Sequence, residues 1–81
     1  MKVSIQVSFY PLSENNYRNI ISGFIKDIKK YKNINLESSN MATIIYGDID
    51  KIFKILTNLS KKYLEKYDGI IDFKLSNSCI K

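Results

Sequence analysis

The sequence predicts an α+β sandwich, a four-stranded antiparallel sheet with two helices packed on one of its faces. Three observations carry this. Apolar residues alternate with polar ones in the strand-like stretches that open and close the chain. Two longer stretches repeat apolar residues every three or four positions. Between those, a short turn-rich link joins two further strands.

In the first strand, Val3, Ile5, Val7 and Phe9 alternate with Ser4, Gln6, Ser8 and Tyr10, the period of a half-buried strand. Pro11 has no N–H and ends the ladder. Ser13 follows as the expected N-cap of the first helix, with Glu14 placed to favour the positive end of the dipole. Tyr17, Ile20, Ile21, Phe24, Ile25, Ile28 and Tyr31 form one apolar stripe, with Lys26, Asp27, Lys29 and Lys30 away from its centre. Asn33 tolerates a left-handed backbone and stops the helix.

Ile34 to Glu37 reads as a short alternating strand, and Ser38-Ser39-Asn40 as a turn. Met41 to Tyr46 is the next strand, and so short a link makes the pair an antiparallel hairpin. Gly47 marks a bend, after which Asp48 or Asp50 caps the second helix. Its stripe is Ile49, Ile52, Phe53, Leu56, Leu59, Tyr63, Leu64 and Tyr67. Asp68-Gly69 reads as a stop and turn, and Ile71, Phe73 and Leu75 alternate with Asp72, Lys74 and Ser76 in the last strand. Right-handed crossovers in both strand-helix-strand halves make the sum a ferredoxin-like βαββαβ sandwich, with spatial strand order four, one, three, two.

The 81 residues suit one domain, small enough that burial against a second subunit is a natural supplement. No apolar run approaches the roughly 18 residues of a membrane span, and the N-terminus does not read as a signal peptide, so the expected location is cytoplasmic. The chain has no histidine and one cysteine, Cys79, which excludes an internal disulfide, Ser-His or Cys-His catalysis and most zinc sites. The net charge of +5 comes almost wholly from lysine, with Arg18 the sole arginine. Specific nucleic-acid readers favour arginine, so the charge reads as a solvated surface.

The helices leave one sheet face open. It carries Ser4, Gln6, Ser8 and Tyr10 from the first strand and Ile70, Asp72, Lys74 and Ser76 from the last. For the third strand, either Met41, Thr43 and Ile45 or Ala42, Ile44 and Tyr46 point outward. Both choices expose an isoleucine, which suits sheet-to-sheet assembly of subunits.

Catalytic and metal constellations are lacking in the pattern. Asp48 and Asp50 sit where acids favour a helix start, and Gly23, Gly47 and Gly69 are too scattered to cradle a phosphate. Tyr10 and Tyr46 would suit a base-stacking platform, but the glycine-aromatic signature of RNA-recognition modules is absent, and no nucleic-acid partner is expected. Ser8, Tyr10, Asn40 and Thr43 lie on neighbouring strands. They read equally as donors, acceptors and a flat ring for a planar heterocycle, or as ordinary strand and interface residues.

At the two strand-to-helix joins, Val7-Ser8-Phe9-Tyr10-Pro11-Leu12 and Met41-Ala42-Thr43-Ile44-Ile45-Tyr46-Gly47-Asp48-Ile49-Asp50 with Ile52-Phe53, the sequence resembles the YkoF-type thiamine/hydroxymethylpyrimidine-binding proteins. The resemblance spans essentially the whole chain. It implies a ferredoxin-like fold that assembles through its sheets into homodimers or homotetramers. It also implies binding of thiamine or its pyrimidine moiety, without chemistry and with no cofactor, in uptake or salvage of the vitamin precursor. Thr43 fits the family's hydroxyl position on the third strand, Tyr10 its first-strand aromatic, and Asn40 and Met41 flank the site. Ser76-Asn77-Ser78 departs from the glycine-containing end of some relatives. An aminopyrimidine needs an acceptor, a donor and a flat wall. Asn40 or Thr43 serve the first two and Tyr10 or Phe9 the wall, with Glu37 and Asp72 as candidate carboxylates for a thiazolium. The alternative is a structural or regulatory module that oligomerises through its sheet without a small ligand.

Overall fold

A computed structural model describes residues 1–38 and 42–77. The elements run β1 (Lys2–Pro11), α1 (Tyr17–Lys29), β2 (Asn35–Ser38), β3 (Thr43–Asp48), α2 (Ile49–Lys66) and β4 (Gly69–Ser76). The sheet is antiparallel with order β2-β3-β1-β4, so β1 and β3 are central. This is the expected ferredoxin-like arrangement. Asn40, Met41 and Cys79 lie outside the described residues, as do Ser39 and Ser78.

Period-two alternation in β1 sends Val3, Ile5, Val7 and Phe9 to the helix side, where all are buried. They meet Ile20, Phe24 and Ile28 of α1 and Ile52, Ile55, Leu56, Leu59 and Tyr63 of α2. Full burial of each large aliphatic side chain contributes roughly 1.5–3 kcal/mol, so this layer holds the helices to the sheet. Phe9, Phe24 and Tyr63 form a ring cluster at its centre, with centroids 5.1–5.5 Å apart.

The pairing register removes the ambiguity in the third strand. Ile45 lies opposite Ile5, and Thr43 opposite Val7. Residues directly opposite share a face, so Thr43 and Ile45 turn toward the helices, while Ile44 and Tyr46 turn to the open face. Ile45 is fully buried, and this packing decides the register.

Several sequence expectations are corrected. Ser13 does not cap α1, which starts at Tyr17 after Asn16. Ser13 has φ 60°, a left-handed conformation, and lies three residues before the observed N-cap Asn16. Glu14 therefore falls outside the first turn, which holds no acid. The carbonyl of Asn16 accepts from the N–H groups of Asn19 and Ile20 at 3.0 and 3.3 Å, and its side chain makes no capping bond. Gly69 is not a turn residue but the first residue of β4, paired with Pro11. The chain leaves α2 through Tyr67 in an extended conformation, φ −128° and ψ 147°, and needs no left-handed residue there.

Gly47, expected at a bend, is a ladder residue of β3 opposite Val3, and Ser38, expected in the turn, is the last residue of β2. Asn33 has the expected left-handed backbone, φ 65°, but α1 already ends at Lys29 and Asn33 does not stop it. The Asp48 side chain accepts from the backbone N–H of Asp50 at 3.2 Å and caps α2.

Candidate functional site

Thr43 begins β3 on the helix side and is 3% exposed. A buried hydroxyl needs a partner, because an unpaired one costs roughly 1–3 kcal/mol. Its partner is the Ser38 hydroxyl, 3.5 Å away, on the residue directly across the β2–β3 ladder. Two hydroxyls therefore close the hairpin end of the sheet. Ser38 also lines an open groove of about 440 Å³ against α1, whose wall is Arg18, Ile21, Ser22, Ile25, Lys26 and Lys29. The steps 18, 22, 26 and 29 place Arg18, Ser22, Lys26 and Lys29 on one helix face. The groove thus combines hydroxyl donors and acceptors, two isoleucines and three cations.

The structure does not bring Tyr10 and Thr43 together. Tyr10 lies opposite Ile70 and Ser8 opposite Asp72, and all four side chains turn to the open sheet face. Glu37, opposite Ile44, turns the same way. The residues singled out in the sequence therefore divide between the two sides of the sheet. Phe9 is not available as a ligand wall, because it sits inside the core ring cluster. On the open face, Tyr10 is 48% exposed and Ile70 54%, whereas Tyr46 is only 6% exposed.

Sequence reasoning missed Arg18, Ser22 and Ser38. The helical step relating Arg18 to Ser22 and Lys26 was legible. That Ser38 would stand beside them depends on how α1 packs over the hairpin.

A second cluster joins the helices. The Asp27 carboxylate on α1 accepts from Lys62 Nζ at 2.8 Å and from the Tyr63 hydroxyl at 2.7 Å, both on α2, and Lys30 lies 3.3 Å from it. Hydrogen bonds from Lys62 and then Tyr63 lower the Asp27 pKa to about 2. Burial, reinforced by the bond to Asp27, raises that of Tyr63. The same residues line an inter-helix crevice of about 330 Å³. Its carboxylate is already satisfied, so the cluster acts as a clasp between helices.

Among the described residues, no helix is long and apolar enough to cross a membrane.

Comparison with known proteins places this geometry. The chain resembles a Thermotoga maritima structure proposed to act in thiamine biosynthesis or salvage, with TM-score 0.85 and 15% identity over 96% of this chain and 85% of that one. It also resembles protein SP2199 of Streptococcus pneumoniae, with TM-score 0.86 and 21% identity over 99% and 90% of the two chains. A hypothetical protein of Methanocaldococcus jannaschii gives TM-score 0.81 and 27% identity over 99% and 84%. No curated protein matches. The YKOF-related family model matches residues 2–79, and with that nearly complete match the chain belongs to the YKOF-related family.

Proposed function

We propose that the protein binds the aminopyrimidine moiety of thiamine, as hydroxymethylpyrimidine or as part of the vitamin, and performs no chemistry on it. The observation that carries this reading is the buried Thr43 hydroxyl paired with Ser38 at the edge of a groove. A hydroxyl both donates and accepts, which an aminopyrimidine edge requires. Ile21 and Ile25 supply an apolar wall in place of the aromatic expected from the sequence. Family membership and the Thermotoga neighbour point to thiamine-related biology. Within it, this protein serves uptake or salvage of the vitamin precursor in the cytoplasm. Titration calorimetry with hydroxymethylpyrimidine and with thiamine tests the reading. A saturable heat supports it, and neither heat nor a shift in melting temperature at millimolar ligand removes it.

Self-assembly through the open face is the second reading, and it is compatible with the first. Tyr10 and Ile70 stand directly opposite each other, each about half exposed. A second copy covering them gives a homodimer, and a pair of such dimers a homotetramer.

A further inference from the structure

The groove beside Thr43 has an unbalanced charge. Arg18, Lys26 and Lys29 line it, and among the described residues no carboxylate does. Two acids adjoin the lining in sequence: Asp27 is held on another side of α1 by Lys62, Lys30 and Tyr63, and Glu37, opposite Ile44, turns to the open sheet face. Among the described residues, none of the three groove cations forms an ion pair. Arg18 Nε donates to the Tyr17 hydroxyl at 3.4 Å, and no described carboxylate pairs with the guanidinium. The three cations share one helix face with Ser22, so their fields add across the opening lined by Ser38, the hydroxyl partner of Thr43.

This distribution discriminates among forms of one heterocycle. A thiazolium conjugate carries a fixed positive charge and meets three like charges. The free hydroxymethyl compound is neutral and is indifferent to them. A phosphate monoester is close to a dianion at neutral pH and presents several acceptor oxygens to lysine, arginine and serine donors.

We infer that the groove selects the phosphate monoester of the aminopyrimidine over both the free alcohol and the cationic thiazolium conjugate. The inference rests on the pyrimidine-binding reading above and adds the ionic form of the ligand to it. In the bound arrangement the ring lies toward the Ser38–Thr43 pair and the isoleucines. The phosphate lies toward Lys26, Lys29 and Arg18 at the groove's open side.

The experiment is calorimetric titration at low ionic strength with hydroxymethylpyrimidine, its phosphate monoester, thiamine and inorganic phosphate. It uses the unmodified protein, a K26Q/K29Q variant, and a K54Q/K61Q variant with the same charge loss outside the groove. The ester is expected to bind at least about tenfold more tightly than the free alcohol, a difference of about 1.4 kcal/mol. That advantage should shrink in K26Q/K29Q and in added salt, and persist in K54Q/K61Q. Equal binding of alcohol and ester, or tighter binding of thiamine, overturns the charge selection and leaves the pyrimidine reading intact. Inorganic phosphate binding as tightly as the ester, or equal weakening in the two variants, also overturns it. Binding of none of the pyrimidines removes the parent reading and this inference with it.

Discussion

The Tyr63 hydroxyl donates to the Asp27 carboxylate across 2.7 Å, and this bond ties α2 to α1 at the helix surface. The ring of Tyr63 is part of the core, against Phe9 and Phe24, while its hydroxyl reaches the polar edge. One side chain thus spans both layers of the interaction. Asp27 is the common acceptor for Tyr63 and Lys62, so removing it affects two partners at once.

Asp27→Asn keeps an acceptor for Tyr63 and removes only the charge seen by Lys62 and Lys30. Its expected cost is at most about 1 kcal/mol, because both lysines are well exposed. Asp27→Ala leaves the Tyr63 hydroxyl without its acceptor, and its expected cost is about 1–3 kcal/mol. Urea unfolding of the two variants checks the order, and equal costs would show that the hydroxyl bond contributes nothing separate.

The same pair sets a pH dependence. Asp27 is held at about 2, below its ordinary 3.8, so its contribution is fully present above about pH 4 and is lost as pH falls toward 2. Tyr63 is raised above its ordinary 10.0, so the stability tied to its protonated form is complete below about pH 10 and is lost as pH rises further. Melting temperature against pH should therefore decline at both extremes. Asp27→Asn should flatten the acid limb, and Tyr63→Phe the alkaline one.

Gly69 packs where β4 meets the end of β1. A Cβ placed there would stand 2.8 Å from Phe9 Cε1 and 3.0 Å from the Tyr10 carbonyl oxygen. Phe9 is locked in the ring cluster and the carbonyl belongs to the ladder, so neither yields easily. Gly69→Ala is expected to destabilise by about 1–3 kcal/mol. An unchanged unfolding midpoint would mean that this end of the sheet is looser than its packing indicates.

Thr43→Val is nearly isosteric and deletes the buried hydroxyl. Its expected stability change is within about 1 kcal/mol, since the exposed Ser38 can turn to water. Pyrimidine affinity is expected to fall about tenfold or more. Calorimetry beside a thermal melt separates the two effects, and undiminished binding would remove Thr43 from the site.

On the open face, a Tyr10→Lys, Ile70→Lys double variant puts like charges on directly opposed positions. Light scattering coupled to size exclusion should show assembly in the unmodified protein and monomer in the variant. A monomeric unmodified protein at high concentration would end the sheet-face reading.

The fold was legible because period-two and period-3.6 patterns are local. Val3, Ile5, Val7 and Phe9 announce a strand whatever surrounds them, and Ile20, Phe24 and Ile28 announce a helix face. The start of α1 was less legible. Ser13 has the composition of a cap, but its backbone lies in the left-handed region, which composition does not encode.

By itself, the sequence determined the element order, the strand pairing and most of the core, although its stripe for α2 omitted the buried Ile55 and included the exposed Phe53 and Leu64. These follow from local periodicity, short connections and crossover handedness. Only the tertiary structure decided which face the candidates of the third strand occupy. A one-residue difference in register reverses every side chain of a strand, and it is the packing of Ile45 under the helices that turns Thr43 inward, away from Tyr10. The juxtaposition of Ser38 with Arg18, Ser22 and Lys26, and of Asp27 with Tyr63 across 36 residues, arises in the same way. Such contacts depend on how whole elements dock, and no local pattern in the chain carries that information.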